Sequence, residues 1–287
     1  MFSSIKHICL HPLAKNKQLA TINKYLYWQL RNIFNKDKRI FNWVNNSKLY
    51  ICKGEHGVTG NYYNGLMEFD SMLFLLHYLK KDQIFVDIGA NSGVYSILSS
   101  KVIGCKTTAF EPIDNAFERL LNNVNLNRTS SKVNAIKKGV GSEIGELYFT
   151  NNKDAMNKVS SSDGDNTSLV QMTTIDNEID SNQGSYMLKI DVEGFEMEVL
   201  KGAKKLLNSG RVTAIIIEQD NRYNHVDTLI CSFGFSRIEY DPFKRKVKQI
   251  KELNSGNTIY VSNVQKTSII CSSSEKVEIH SAFNHMI

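Results

Sequence analysis

From residue 84 onward, short runs of β-branched and aromatic residues alternate with stretches of helical length. The run 84–88 (IFVDI) ends in Gly89, and residues 96–103 have helical length before Gly104 stops them, which predicts a strand followed by a helix. Residues 107–110 repeat the strand pattern, Asp114 is placed to cap a helix through Asn125, and residues 133–137 give a third short strand. Further strands are predicted at 147–150 and 170–175, around a stretch rich in Asn, Ser and Asp, 151–168, read as a surface loop. Residues 186–190 lead through Asp191 into a helix over 195–207, and 212–217 (VTAIII) is the most apolar strand, expected to be central and buried on both faces. A helix at 226–232 and a late hairpin, 235–240 with 258–261, joined by a basic loop over 244–251, complete the pattern. Strands alternating with helices predict an α/β fold, a mainly parallel sheet with an antiparallel edge. Ahead of this body, Leu19, Ile22, Leu26, Leu30 and Ile33 recur at spacings of three and four, as on an amphipathic helix. The chain therefore divides into an N-terminal segment, 1–60 (arm or lid), a body, 61–262, and a C-terminal tail, 263–287, whose weak periodicity suggests loose attachment.

Composition changes this picture little, whereas charge changes it more. With 41% hydrophobic and 22% charged residues over 287 positions, the chain is of ordinary globular type, and disorder is excluded. No apolar run has the length of a membrane-spanning helix, and the start lacks the apolar stretch of a secretory signal, so a cytoplasmic protein is expected. Five scattered cysteines without a Cys-x-x-Cys pair suggest neither a disulfide framework nor a zinc knuckle. Residues 1–53 hold ten Lys or Arg against one acid, Asp37, a net +9; the whole chain is +6, so the other 234 residues sum to −3. Two readings of the basic segment stay open: it lies on an anionic membrane surface or acidic partner, or it packs its stripe on the body with its lysines in water.

Candidate chemistry sits at predicted strand ends. Asp87-Ile88-Gly89-Ala90-Asn91-Ser92-Gly93 places glycines where a strand turns into a helix, so backbone can approach a ligand and amide donors point outward. The Gly-x-Gly-x-x-Gly spacing of NAD sites and the P-loop lysine are both absent, and an acid at the start suits a ligand with an ammonium group. Glu111, in Ala109-Phe110-Glu111-Pro112, lies 24 residues beyond Asp87, one strand-helix-strand step, where a carboxylate accepts the hydroxyls of a ribose.

FVDIGANSGVYS, AFEP and above all KIDVEGFEMEVLKGA (residues 189–203) resemble the FkbM family of S-adenosylmethionine-dependent methyltransferases over roughly residues 60–262. The resemblance implies a class I, Rossmann-like fold: a seven-stranded sheet with the methyl donor over the carboxyl ends of strands one, two and four. It also implies O-methylation of sugars or other hydroxylated natural products. On that pattern the donor contacts are Glu68 (in Gly65-Leu66-Met67-Glu68), Asp87, Gly89, Ala90, Asn91, Gly93, Glu111, Gly141 and Asp191, although Ser142 replaces the acid common beside the adenine. The catalytic candidates are Asp191 and Glu218, at the ends of the fourth and fifth strands, and His225 in the following loop. Asp191 and Glu218 together also offer a seat for a divalent metal, which is not expected to be required. Glu193 and Glu196 flank the helix start at 195, and His56 reaches the site only if the N-terminal segment forms a lid. Nucleic acid is not the expected partner: no proline stands directly after Asp191, so the Asn/Asp-Pro-Pro-Tyr/Phe element of base amino-methyltransferases is absent, and the body lacks a basic footprint. The competing readings are a non-catalytic binding module that keeps the donor fold and docks a membrane or partner through its basic segment, or a methyltransferase acting on a nucleic acid or protein.

Overall fold

The computed structural model describes residues 8–15, 17–34, 37–150, 159–160, 167–219, 224–252, 256–281 and 284–287. Its centre is one eight-stranded sheet: β1 (Ile84–Ile88), β2 (Lys106–Phe110), β3 (Val133–Ile136), β4 (Tyr186–Ile190), β5 (Val212–Gln219), β6 (Ser236–Asp241), β7 (Lys246–Gln249) and β8 (Gly256–Val261). The spatial order is β7-β6-β8-β5-β4-β1-β2-β3. β3, β2, β1, β4 and β5 run parallel, and β8 is antiparallel to both β5 and β6. The Rossmann-like α/β expectation is met, with an antiparallel element near one edge. Instead of seven strands there are eight, because β7 forms inside the stretch read as a basic loop. Its Val247 pairs with Tyr240 while Lys246 and Lys248 are exposed, the lysine-rich composition of an edge strand that discourages further pairing.

β4 (YMLKI) is buried along its whole length between β1 and β5, the position its apolar composition demands. The register aligns Ile88 of β1 with Phe110 of β2 and Ile190 of β4, and Ile190 with Ile217 of β5. The residues that follow, Gly89, Glu111, Asp191 and Glu218, therefore emerge side by side at one sheet edge. The chain leaves β1 toward β2 and β3 and returns to β4 on the other side, which opens the ligand crevice of an α/β sheet at β1/β4. Strands Gly145–Thr150 and Thr167–Thr173 pair antiparallel in a separate small sheet with Gly139–Val140 and Val159–Ser160. Most of the predicted 151–168 loop lies outside the described residues. The helix expected over 195–207 breaks into Glu196–Lys201 and Lys204–Asn208. At the break Gly202 lies so close to the carbonyl oxygen of Gly141 that a Cβ there would sit at 2.0 Å from it.

The described residues toward both ends of the chain pack on the body. The helix Gln18–Phe34 buries the predicted leucine and isoleucine stripe only in part: Leu19 and Leu30 are exposed, Ile22 and Leu26 half-buried. It buries Thr21, Tyr25 and Trp28, because the aromatic rings meet Tyr63 and Tyr62 at 5.3 and 5.2 Å between centroids. A hairpin of Arg39–Asn42 and Lys48–Ile51 is fastened to the helix Asp114–Leu126 and the residue after it: the Lys48 and Tyr50 amides donate to the side-chain oxygens of Asn127 and Asn123 at 2.8 and 2.9 Å. Residues 263–287, expected as a loose tail, are docked instead. The helix Val264–Ser272 buries Cys271, and Ile279, fully buried, bridges Val44. No described helix is long and apolar enough to cross a membrane.

Candidate active site

A cavity of about 270 Å³ opens at the carboxyl ends of β1, β2, β4 and β5, and Glu68, Asp87, Gly89, Ala90, Asn91, Glu111, Asp191 and Glu218 all line it. The turn after β1 makes its floor. Gly89 and Gly93 have φ of 81° and 79°, and Asn91 has φ of 48°. A Cβ on Gly89 would lie 1.9 Å from the Asp191 carbonyl oxygen, so only glycine lets the β1 and β4 ends approach this closely. Gly89→Ala is expected to cost more than about 3 kcal/mol, from backbone strain plus overlap, read as a fall in the urea midpoint.

Glu111 is pre-organised by backbone. Its Oε2 accepts from the Asn91 amide at 2.8 Å and its Oε1 from the Ile113 amide at 2.9 Å, leaving each oxygen free to accept once more. Burial pushes this carboxyl up to about 7 against the two amides, and Asp87 up to about 6 against the Ser96 hydroxyl that donates to it at 2.6 Å. A carboxyl whose pKa is raised by folding stabilises the fold below its unfolded pKa, and that contribution is lost as pH rises through the folded value. Glu111→Gln is free of this loss. The thermal midpoint of Glu111→Gln minus that of the wild type should therefore rise by several degrees from about pH 5 to about pH 8. Taking the difference cancels the opposing titration of His77, which burial pushes down to about 4.

Over the other half of the cavity lies a network centred on Lys189, only 2% exposed. Its ammonium donates to Asp191 Oδ2 and to Asn257 Oδ1, both at 3.0 Å, lies 4.0 Å from Glu68 Oε2 and sits 5.2 Å from the Tyr95 ring centroid. Glu68 in turn accepts from the Tyr95 hydroxyl at 2.6 Å and from the Asn257 amide. Burial alone would lower the Lys189 pKa, but Asp191 and Glu68 outweigh it and hold the ammonium charged. Burial likewise works against ionisation of Asp191, yet Lys189 and a hydrogen bond with Glu218 bring its pKa below the ordinary range. That hydrogen bond, with burial second, pushes Glu218 up to about 8. The arrangement favours ionisation of Asp191 and retention of the proton on Glu218. Asp191, Glu193 and Glu218 each offer an oxygen within 4.8 Å of the others, a hard donor set of the type that suits Mg²⁺ or Ca²⁺. Glu196 accepts from the Gly194 amide at 3.0 Å and so ties the turn ahead of its helix.

Three sequence candidates stand apart from the cavity. Gly93 lies beneath it, where a Cβ would strike Leu120 at 2.4 Å. Gly141 is packed between Phe195 and Met172 and does not line the cavity, whose rim there is Lys138, Gly139 and Val140. His225 is exposed at the start of the helix Asn224–Ser232 and does not line the cavity either, because that helix begins beyond the end of β5. The side chain of His56 lies outside the described residues. Conversely, Lys189, Tyr95 and Asn257 carry no role in the sequence reading. Lys189 had a signal, a lone charge inside an apolar strand; Tyr95 and Asn257 had none.

The sequence profile of the methyltransferase FkbM domain matches residues 87–237, more than half of the chain and spanning β1 to β6. The chain belongs to the FkbM methyltransferase family. A hexuronic acid methyltransferase, AglP of Haloferax volcanii, is 29% identical over 153 residues, 53% of this chain and 62% of that protein, so the match spans less than two thirds of the relative's length. Among solved structures, a Streptococcus mutans protein in complex with SAH is 14% identical with a TM-score of 0.40, covering 66% of this chain and 93% of that one. The precorrin-6y C5,15-methyltransferase of Geobacter metallireducens is 11% identical with a TM-score of 0.39, covering 68% and 85%.

Proposed function

We propose that this FkbM family member is an S-adenosylmethionine-dependent O-methyltransferase whose acceptor is a hydroxyl of a saccharide, glycoconjugate or related natural product. The observation that carries this reading is the pairing, in one cavity, of Glu111, held by two backbone amides, with Asp191, which the Lys189 ammonium contacts at 3.0 Å beside Glu218. The similarity to a hexuronic acid methyltransferase supports a saccharide acceptor.

The residues fit the donor. Glu111 has one free acceptor position on each oxygen for the ribose hydroxyls, and Asp87 and Glu68 supply negative charge for the ammonium of its amino acid portion. When bound, S-adenosylmethionine supplies an electrophilic methyl group for in-line displacement, a step in which alignment contributes much of the acceleration. The protein's own part is to hold the acceptor oxygen and take its proton. Asp191, kept ionised by Lys189, accepts that proton, and Glu218 donates a hydrogen bond to Asp191 that fixes its orientation. A second reading rests on the three clustered oxygens of Asp191, Glu193 and Glu218: a divalent cation held there would orient the acceptor hydroxyl in place of that hydrogen bond.

The test is transfer of a labelled methyl group to a panel of sugars and glycoconjugates, with and without EDTA, followed by locating the label. Label in a methyl ether, lost in Asp191→Asn, is expected; survival in EDTA selects the first reading and loss with recovery by magnesium the second. Label on nitrogen or carbon would overturn the assignment.

A further inference from the structure

The helix Gln18–Phe34 has a face that covers nothing among the described residues. Leu19 is 80% exposed, Tyr27 54% and Leu30 59%, and with exposed Asn23 they fall within roughly 80° of arc at 100° per residue. The opposite face, Thr21, Tyr25 and Trp28, is the one buried on the body. Arg31 borders the exposed stripe, its guanidinium donating to the Tyr27 hydroxyl at 3.5 Å. The segment that carries the stripe has a net charge of +9 over residues 1–53, in a chain whose remaining 234 residues sum to −3.

We propose that this stripe docks the protein on an anionic lipid surface, with the leucines entering the headgroup boundary, Arg31 beside them meeting lipid phosphate, and the net charge of +9 over residues 1–53 drawing the segment to the anionic surface. The helix carries two apolar faces: one is buried on the fold and the second is left to solvent, which is the arrangement of an interfacial helix anchored to a domain. Tyr27 places a ring with a hydroxyl at the level where amphipathic aromatics settle in bilayers. A second copy of the chain is a poor occupant, since facing stripes would set +9 against +9. The same helix packs on His56–Asn64, whose Gly57 lines the cavity, so docking would hold the candidate active site within one helix of the surface.

Flotation of the full chain with phosphatidylglycerol/phosphatidylcholine vesicles, compared with phosphatidylcholine alone, tests this. Binding to the anionic vesicles should be at least about tenfold stronger and should weaken as salt is raised. The double variant Leu19→Glu/Leu30→Glu should lose at least about tenfold in binding, with an unchanged circular dichroism spectrum and thermal midpoint; Leu30→Gln alone, with a smaller loss, covers the case in which the double variant misfolds. No preference for anionic vesicles overturns the proposal, as does binding of a folded Leu19→Glu/Leu30→Glu chain equal to the wild type. A concentration-dependent dimer abolished by that variant would give the stripe to a second copy and overturn it as well.

Discussion

Glu111→Ala weakens S-adenosylmethionine binding by about 100-fold or more, the largest loss expected of any single substitution at the donor end of the cavity. A hydrogen bond to a charged group contributes about 1.5–3 kcal/mol, and this carboxylate has a free acceptor position on each of two oxygens already fixed by the Asn91 and Ile113 amides. The alanine variant loses both acceptors and leaves the two amides without their partner. Glu111→Gln keeps one carbonyl acceptor and turns the other position into a donor, so its loss should be intermediate. Titration calorimetry on both variants, with circular dichroism to show that they are folded, reads the effect. Affinities within about threefold of the wild type would remove Glu111 from the donor site.

Lys189→Met is expected to destabilise the protein by about 3–5 kcal/mol, the usual consequence of removing one member of a buried ion pair. The loss arises because Asp191 and Glu68 would remain in the cavity wall without the ammonium now 3.0 and 4.0 Å away. Two companion results separate this cause from lost packing. Adding Asp191→Asn to Lys189→Met should recover part of the stability, whereas Asp191→Asn alone should not stabilise. The deficit of Lys189→Met should also shrink from about pH 7 to about pH 5, since the stranded carboxyls then take up protons. Urea denaturation of the three variants at the two pH values is the measurement, and a Lys189→Met midpoint within about 1 kcal/mol of the wild type would show that the network is not coupled through Lys189.

These two residues also mark how far the sequence could be read. Glu111 was legible because its position depends on local chain length, one strand-helix-strand step after Asp87, and the glycine turn beside it cannot be built from other residues. Asp191 and Glu218 were legible for the same reason, as the first polar positions after apolar strands. Lys189 was not, because besides Asp191, two residues on, its partners are Glu68, 121 residues earlier, and Asn257, 68 residues later. Burial of a lysine is decided by such distant groups. At the edges, β7 was missed since an edge strand carries the lysines of a loop. On the N-terminal helix, leucine spacing alone does not mark Tyr25 and Trp28 as the most buried positions, because the two rings bury more surface than the half-buried Ile22 and Leu26 beside them. The C-terminal residues show little periodicity because they are short pieces docked against Trp43 and Val44, and each piece is held by the body more than by its own pattern. His225 looked suited to catalysis only through its distance along the chain from Glu218, a distance that the helix Asn224–Ser232 directs outward.

Titration calorimetry of the wild-type chain with S-adenosylmethionine, S-adenosylhomocysteine and NAD tests the account most directly. The account predicts micromolar binding of the first two, about −8 kcal/mol, no heat from NAD, and loss of the signal in Glu111→Ala. Absence of binding by both sulfur ligands, with and without magnesium, would contradict it and leave the crevice as architecture without a donor.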